Sequence, residues 1–278
     1  MNNINRILLA TDFSPTANNA LLYALDLAEA VGAEVSILHA CRISSASSAN
    51  YPSGYYEAVS TKEWQEQAEA NMKQLKHDFL YAPKVKYHCL IQTGLAADVI
   101  KQVAEEEKID LIVMGTRRAE GMSTWLGSVT VDTIKESFVP VLVIPESARF
   151  THPKKVVLAT SYTKVSDVSG LSTLKSLLSF FEARLEILHV HAPDKEYSME
   201  QAHFRDAIDG YFGELPHSLH TLDHPQVTEG IEQFVDRQAT DLLVMLPQQH
   251  TFFEQLWHAS QTKQMVFQTH IPLLTLRS

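Results

Sequence analysis

The sequence predicts an α/β protein made of two tandem, doubly wound open sheets of mainly parallel strands. In the first half of the chain, short apolar segments of strand length alternate with longer segments of helical periodicity, an order typical of a parallel sheet covered by helices on both faces. The second half repeats this succession, which indicates duplication. We therefore expect two five-stranded sheets that pack as a pseudo-symmetric pair.

Composition narrows the classes of function. The 278 residues suffice for two domains with separate cores. A net charge of −10 argues against binding to nucleic acid or to an anionic membrane, and no segment approaches the roughly 20 apolar residues that span a bilayer. Two cysteines in apolar segments, Cys41 and Cys89, have no metal-ligand spacing and indicate buried thiols rather than a disulfide. We expect a cytoplasmic protein.

The first strand and helix have local boundary signals. Residues 6–11 form a short apolar segment, which predicts a strand. Ser14 is a typical N-cap, Pro15 suits a first helical turn, and Gly32 suits a helix end. The helix between them has one apolar face, formed by Ala17, Leu21, Ala24, Leu25 and Ala28.

The next elements are predicted in the same way. Residues 33–41 read as a strand, and residues 42–60, rich in Ser, Gly and Pro, read as a loop. Ser60 and Glu63 indicate a capping box at the start of a second helix. Its predicted inner face consists of Trp64, Ala68, Met72, Leu75 and Phe79.

The rest of the first half completes the pattern, and the second half repeats it. The remaining predictions are a strand over 84–94, a helix over 95–108, a strand over 109–115, a helix over 127–138 and a strand over 139–145. "RILLATDFS" is answered later by "KVVLATSYT", and "VSILHAC" by "LEILHVH". The predicted domains are 1–149 and 150–278, with their boundary in a polar connection near residues 147–153.

Five segments in this order carry a family resemblance: "ILLATDFS", "ILHA", "DLIVMGT", "GSVT" and "VPVLVIP". With them the chain resembles the universal stress protein family (UspA-like), in its tandem two-domain form. The resemblance implies a five-stranded Rossmann-like, adenine nucleotide alpha hydrolase-like fold. It also implies that ATP, with Mg²⁺, binds at the carboxyl ends of the strands, where open α/β sheets generally bind ligands.

The resemblance also implies a set of binding residues in the first domain. Asp12 would contact ribose or base, Ala40 would offer backbone groups to adenine, and the residues after Gly127 would donate to phosphates at a helix N-terminus. Arg117 and Arg118 could add charge-assisted bonds to phosphate. The complete set is Ala10, Thr11, Asp12, Ala40, Met114, Gly115, Arg117, Arg118, Gly127, Ser128, Val129 and Thr130.

The chain departs from the family's glycine pattern in both halves. In the first half, Arg118 stands at the second glycine, and the segment before Gly127 is one residue shorter than the pattern. In the second half, Ser161 replaces Asp12, and the three glycines are replaced by Leu246, Gln249 and Ala259. We therefore expect the second domain to have lost the nucleotide site. Binding of an apolar ligand around Phe252 and Phe253 is an alternative there.

Histidines and catalytic motifs complete the sequence evidence. His217, His220 and His224 lie close together, but alternation along a strand directs the first two to opposite faces, which argues against a metal site. His39 and His189 occupy equivalent strand ends and are expected to be scaffold residues. The sequence has no P-loop, G-x-S-x-G or H-E-x-x-H motif. We expect no enzyme.

The expected function is that of a cytoplasmic stress-response protein that binds ATP or another adenine nucleotide in domain 1 and acts as a sensor or scaffold. Its expected partners are the nucleotide and an unknown protein, and a homodimer remains open. Two further functions stay open: a nucleotide-free scaffold in which both clefts are degenerate, and a weak ATPase.

Overall fold

A computed structural model describes residues 4–41, 53–116, 127–162, 169–191, 198–246 and 270–276, without the side chains of residues 53–61 and 169–170. Within these ranges the elements alternate between strands and helices. In chain order they are β1 (Arg6–Ala10), α1 (Pro15–Val31), β2 (Glu34–Cys41), α2 (Ser53–Phe79), β3 (Tyr87–Thr93), α3 (Ala96–Glu106), β4 (Leu111–Thr116), α4 (Ser128–Glu136), β5 (Val141–Pro145), β6 (Lys155–Ala159), α5 (Ser169–Phe181), β7 (Arg184–His191), α6 (Met199–Phe212), β8 (His217–Asp223), α7 (Val227–Gln238), β9 (Leu242–Met245) and β10 (Leu273–Thr275).

The strands form one continuous ten-stranded sheet in the order β3-β2-β1-β4-β5-β10-β9-β6-β7-β8. Within each half all pairings are parallel, whereas β5 and β10 pair antiparallel with Leu142 opposite Leu274. The order is symmetric about this pair. The predicted fold class is therefore confirmed, and the structure adds that the two five-stranded halves join edge to edge.

Helices cover both faces of the sheet, which explains why the central strands are apolar throughout. Ile7 and Leu9 of β1 belong to the core beneath α1, α2, α5 and α6, whereas Leu8 belongs to the core beneath α3, α4 and α7. All three are fully buried. A strand buried on both faces has no solvent side on which to place polar residues. Each core includes residues from both halves, so neither core ends at the β5–β10 junction.

The same arrangement of hydrogen bonds to an aspartate fixes the starts of β1 and β6. Asp110 Oδ2 accepts hydrogen bonds from the backbone N–H groups of Asn5 and Arg6, at 2.8 and 3.0 Å. In the second half, Asp241 Oδ2 accepts from the N–H groups of Lys154 and Lys155, at 2.8 and 2.9 Å. The duplication seen in the sequence is thus preserved at the level of individual hydrogen bonds.

Two predictions about α2 are wrong. The helix begins at Ser53, so Ser60 lies inside it and does not cap its start. Ala68, Met72 and Leu75 are buried as predicted, but Trp64 is 56% exposed. Trp64 lies one helical turn before Ala68, the first buried residue of the predicted stripe. The predicted apolar stripe is therefore present on α2, but its first residue is exposed to solvent.

The cysteines and the domain boundary can also be placed on the fold. Cys41 and Cys89 are free thiols, as expected, but are only partly buried. The predicted domain boundary lies in the segment that connects β5 with β6. Among the described helices, none combines the length and the apolar character that crossing a membrane requires.

Candidate functional site

A cavity of about 380 Å³ lies at the carboxyl ends of the strands in the first half. This volume is within the range typical of ligand pockets, about 300–1,000 Å³. Every predicted binding residue in the described part of the chain lines it, namely Ala10, Thr11, Asp12, Ala40, Met114, Gly115, Gly127, Ser128, Val129 and Thr130. Arg117 and Arg118 lie outside the described residues, as do Gln249, Phe252, Phe253 and Ala259 of the second half.

Asp12 is held by a tight turn at the end of β1. Its Oδ1 accepts a hydrogen bond from the Ser14 N–H at 3.0 Å, and the Thr11 hydroxyl accepts from the Phe13 N–H at 3.0 Å. Phe13 has a φ of 63°, which lets the chain reverse into α1. The Asp12 side chain is exposed and supplies the only carboxylate among the described lining residues.

The first turn of α1 forms a second wall. The Ser14 hydroxyl caps the helix by accepting from the Ala17 N–H at 3.2 Å, as the sequence predicted. Gly115 of β4 packs directly against this turn, because a Cβ on Gly115 would lie 2.6 Å from the Thr16 carbonyl oxygen. Gly115 therefore permits the close approach of α1 to β4.

The N-terminus of α4 forms the third wall. Gly127 is its N-cap residue and supplies no side-chain cap. Among the described residues, no acceptor is recorded for the N–H groups of Ser128, Val129 and Thr130, since the first bond of the helix runs from the Val131 N–H to the Gly127 carbonyl. Unpartnered N–H groups and the helix dipole favour an anion at this position.

Sequence reasoning missed several lining residues: Ser14, Thr16, Ala17, Leu38, His39, Ala96, Ile100 and Thr116. Ser14 is the N-cap of α1, and the others belong to α1, β2, α3 and β4. For His39 and Thr116, the sequence already indicated a position at the carboxyl end of a strand. For Ala96 and Ile100, the sequence contained no sign that they line the cavity, because this depends on how α3 packs against the sheet.

His39 has a structural role, as expected. Its Nδ1 bonds to the Thr11 carbonyl at 2.8 Å, and its ring packs against Phe13. In the second half, His189 Nδ1 bonds to the Thr160 carbonyl at 3.0 Å, and its ring stacks on Tyr162. Each bond ties the second strand of its half to the end of the first.

The equivalent positions in the second half carry larger side chains. Val190 follows His189 as Ala40 follows His39, Val227 begins α7 as Ala96 begins α3, and Leu246 corresponds to Gly115. Val190 and Leu246 are buried. Gly230 of α7 leaves room for Val190, since a Cβ on Gly230 would lie 2.8 Å from the Val190 Cγ1 atom. Larger side chains at these positions reduce the space available to a ligand.

The histidines of β8 bond to carboxylates and carbonyl groups of the protein. His217 Nε2 bonds to Asp209 Oδ1 at 2.9 Å, whereas His220 Nε2 bonds to the buried Glu186 at 2.7 Å. Asp209 belongs to α6 and Glu186 to β7, and His220 also packs against Phe234 of α7 on the other face. In the described ranges, no group of three or more potential metal ligands comes together.

Comparisons with known proteins agree with this architecture. The family model described as "Universal stress protein family" matches residues 3–145. Universal stress proteins MJ0531 and MJ0577 of Methanocaldococcus jannaschii are 32% and 29% identical to this chain over 143 and 152 residues. Each alignment covers 50% of this chain, and 81% and 93% of the respective relative.

One solved structure extends the similarity in fold to the second half. A universal stress protein from Archaeoglobus fulgidus superposes with a TM-score of 0.71 at 18% identity. The superposition covers 98% of this chain and 96% of the Archaeoglobus chain. At that identity the match concerns the fold alone. The family match over the first half, together with the symmetric fold, leads to one assignment: the chain belongs to the universal stress protein family.

Proposed function

We propose that the first half of the chain binds an adenine nucleotide, ATP with Mg²⁺ or a close relative, and that the protein acts as a ligand-responsive sensor or scaffold. The observation that carries the proposal is the cavity at the strand ends, where the first N–H groups of α4 have no acceptor recorded among the described residues. It combines a mostly apolar lining with a small number of polar groups, as small-molecule sites do.

The order of the walls fits an extended ligand. β1 lies between β2 and β4 in the sheet, so the end of β2 is roughly 10 Å from the end of β4 at about 4.8 Å per strand. Phosphate would lie at the α4 N-terminus, the sugar near Asp12, and the base at the end of β2 near Ala40. Asp12 can accept hydrogen bonds from ribose hydroxyl groups.

Catalysis is not part of the proposal. Phosphoryl transfer needs positioned cationic groups and metal ligands around the transferred phosphate. Among the described residues that line the cavity, Asp12 supplies the only carboxylate, and none is a lysine or an arginine. Release of phosphate from ATP above a protein-free blank would contradict this part of the proposal.

Calorimetric titration with ATP, with and without Mg²⁺, tests binding. The test variant is Gly127→Trp, because Gly127 lines the cavity and a Cβ there meets nothing within 4 Å, so the indole can occupy the cavity. Gly210→Trp is the matched control: its Cβ also meets nothing within 4 Å, but it lies on α6 of the second half.

Wild type and Gly210→Trp should bind with the same affinity, and Gly127→Trp should lose at least about tenfold, which corresponds to about 1.4 kcal/mol. Absence of heat with the wild-type protein, or equal affinity for Gly127→Trp, would overturn the proposed site. Circular dichroism of each variant checks that the fold is retained.

A further inference from the structure

We propose that Thr11 is a positioning residue of this cavity. Its hydroxyl holds the turn of residues 11–14 in the conformation that presents the Asp12 carboxylate to the sugar of the nucleotide. The site should therefore select nucleotides whose sugar carries free hydroxyl groups. This inference rests on the proposed nucleotide site.

The turn at the end of β1 is strained and needs support. Phe13 has a left-handed backbone conformation, with a φ of 63°. A bulky residue keeps this conformation only where the surrounding structure holds it, because it is sterically unfavourable. The Thr11 hydroxyl accepts a hydrogen bond from the Phe13 N–H at 3.0 Å. Thr11 is itself fixed, since it is only 6% exposed and its N–H donates to the Leu38 carbonyl at 2.9 Å. The hydroxyl therefore ties the turn to the end of the sheet.

Asp12 lies between the two residues that the Thr11 hydroxyl connects. The Asp12 Oδ1 atom accepts from the Ser14 N–H at 3.0 Å, so the carboxylate lies beside the start of α1. Asp12 and Ser14 both line the cavity, and the Asp12 side chain is exposed. A carboxylate has about four lone-pair sites, so Asp12 retains acceptors for sugar hydroxyl groups. Release of the turn would let the carboxylate move without removing it.

The second half has the same turn without the carboxylate. Thr160 Oγ1 accepts from the Tyr162 N–H at 3.1 Å, and Tyr162 has a φ of 54°. Ser161 stands where the first half has Asp12. Thr160 thus holds an equivalent turn outside the first cavity, which makes it the matched control for Thr11.

The experiment compares ATP with 2′,3′-dideoxy-ATP, which lacks both hydroxyl groups of the sugar. Dissociation constants are measured calorimetrically with Mg²⁺ for wild type, Thr11→Val, Thr11→Ser and Thr160→Val. Valine has nearly the shape of threonine but no oxygen that could accept from the Phe13 N–H, whereas serine keeps the hydroxyl. The quantity of interest is the dissociation constant of dideoxy-ATP divided by that of ATP.

Wild type should prefer ATP by at least about tenfold, the usual effect of a hydrogen bond to a charged group. Thr11→Val should lower the ratio towards that of Asp12→Ala, which has no carboxylate at this position. Thr11→Ser should keep most of the preference, and Thr160→Val should leave the ratio at the wild-type value. A merely structural role for Thr11 would weaken both nucleotides equally, and an unchanged ratio in folded Thr11→Val would therefore overturn the inference.

A double variant separates positioning from direct contact with the sugar. If Thr11 acts through Asp12, adding Thr11→Val to Asp12→Ala should leave the ratio unchanged. A ratio that stays above one in Asp12→Ala and falls in the double variant would show that the Thr11 hydroxyl itself contacts the sugar. That result would overturn the positioning role.

Hydrogen exchange in the wild-type protein gives a test that does not depend on the folding of any variant. Coupling between sites is reciprocal, so hydrogen bonds from the sugar to Asp12 should stabilise the turn. The amides of Phe13 and Ser14 should exchange more slowly with saturating ATP than with saturating dideoxy-ATP. Equal exchange rates, or equal affinities of wild type for both nucleotides, would overturn the role of Thr11 and leave the nucleotide site standing. Binding of neither nucleotide to wild type would overturn both proposals.

Discussion

Two glycines of the same sequence motif line the cavity, but they differ in how strongly the fold requires them. The sequence singles out Gly115 and Gly127 together, but only Gly115 is packed against backbone, with its missing Cβ 2.6 Å from the Thr16 oxygen. Gly127 has a φ of −64° and open space at its Cβ. The sequence could predict that both glycines line the cavity. It could not predict which of them the fold requires, because that depends on how close α1 lies to β4.

Gly115→Ala should therefore destabilise the protein by about 1–3 kcal/mol, the usual cost of forcing extra volume into a packed region. The obstacle is a backbone carbonyl, which cannot rotate away as a side chain can. Gly210→Ala, in α6 where a Cβ meets nothing within 4 Å, should instead stabilise by about 0.5 kcal/mol through helix propensity. Urea unfolding of both variants measures this. A loss for Gly210→Ala as large as that for Gly115→Ala would contradict the packing explanation.

Two histidines of the second half should respond to pH with opposite sign. Burial lowers the pKa of His189, more than its bond to the Thr160 carbonyl raises it, and His191 lowers it further. Burial also acts to lower the pKa of His217, but its bonds to the Leu215 carbonyl and to Asp209 outweigh burial, and the pKa is raised. An unfolded histidine titrates near pH 6.5.

It follows that the stability due to His189 is present above about pH 6.5 and is lost as the pH falls towards its lowered folded pKa. The stability due to His217 is present below about pH 6.5 and is lost as the pH rises through its raised folded pKa. His189→Asn should thus destabilise more at pH 8 than at pH 5, and His217→Asn more at pH 5 than at pH 8. Denaturant unfolding of both variants at pH 5 and pH 8 tests this prediction. The same pH trend in both variants would contradict the opposite pKa shifts of the two histidines.

At the scale of elements, α1 connects the cavity with the junction of the two halves. Its first turn lines the cavity through Thr16 and Ala17. One turn further, the Asn19 amide donates to the carbonyl oxygens of Pro145, at the end of β5, and of Ala148, in the segment that follows, both at 3.0 Å. Tyr23 then packs edge-on against Phe150 of the same segment.

The sequence predicts the ends of a helix correctly where residues at those ends determine them. The sequence predicted the boundaries of α1 from Ser14, Pro15 and Gly32, because each acts within one turn of the chain. It placed the start of α2 too late, because Ser, Gly and Pro near residue 53 read as a loop. Local composition is a weak guide when tertiary packing can decide the outcome.

Asn19→Ala should lower the free energy of unfolding by about 2–4 kcal/mol. The change removes two hydrogen bonds in a buried site, each worth about 0.5–1.5 kcal/mol net, and it also removes the Asn19 Oδ1 acceptor of the Arg149 guanidinium. Asn18→Ala is the matched control on the same helix, because the Asn18 Oδ1 atom is buried without a hydrogen-bond partner in the described structure. It should change stability by less than about 0.5 kcal/mol, or increase it. Thermal and urea unfolding measure both, and equal losses would show that Asn19 does not hold this segment.

At the scale of the whole molecule, the antiparallel pairing of β5 with β10 unites the two halves. The sequence revealed the duplication and the parallel order within each half. It did not reveal this pairing, because β5 and β10 are apolar like the other strands and carry no signal for a particular neighbour. Arg117, Arg118 and the equivalent segment of the second half lie outside the described residues, so their predicted roles stay predictions.

The continuous sheet predicts that both halves unfold as one cooperative unit. Leu142 and Leu274 face each other across the junction, and each is almost fully buried in the core beneath α1 and α5. Leu274→Ala should cost about 2–5 kcal/mol, as large-to-small changes in cores do. Because the core spans the junction, this loss should appear in the slowest-exchanging amides of β1 as well as in those of β6.

Native-state hydrogen exchange of wild type, Leu274→Ala and Met199→Ala measures this coupling. Met199 is 78% exposed, so its truncation should leave exchange in both strands unchanged. Leu274→Ala should lower the opening free energy of β1 and β6 by the same amount, since in a cooperative unit both exchange through global unfolding. Faster exchange in β6 alone would show that the halves unfold independently. The symmetric sheet would then be two adjacent domains, and a ligand in the first cavity could not stabilise the second half through the β5–β10 junction.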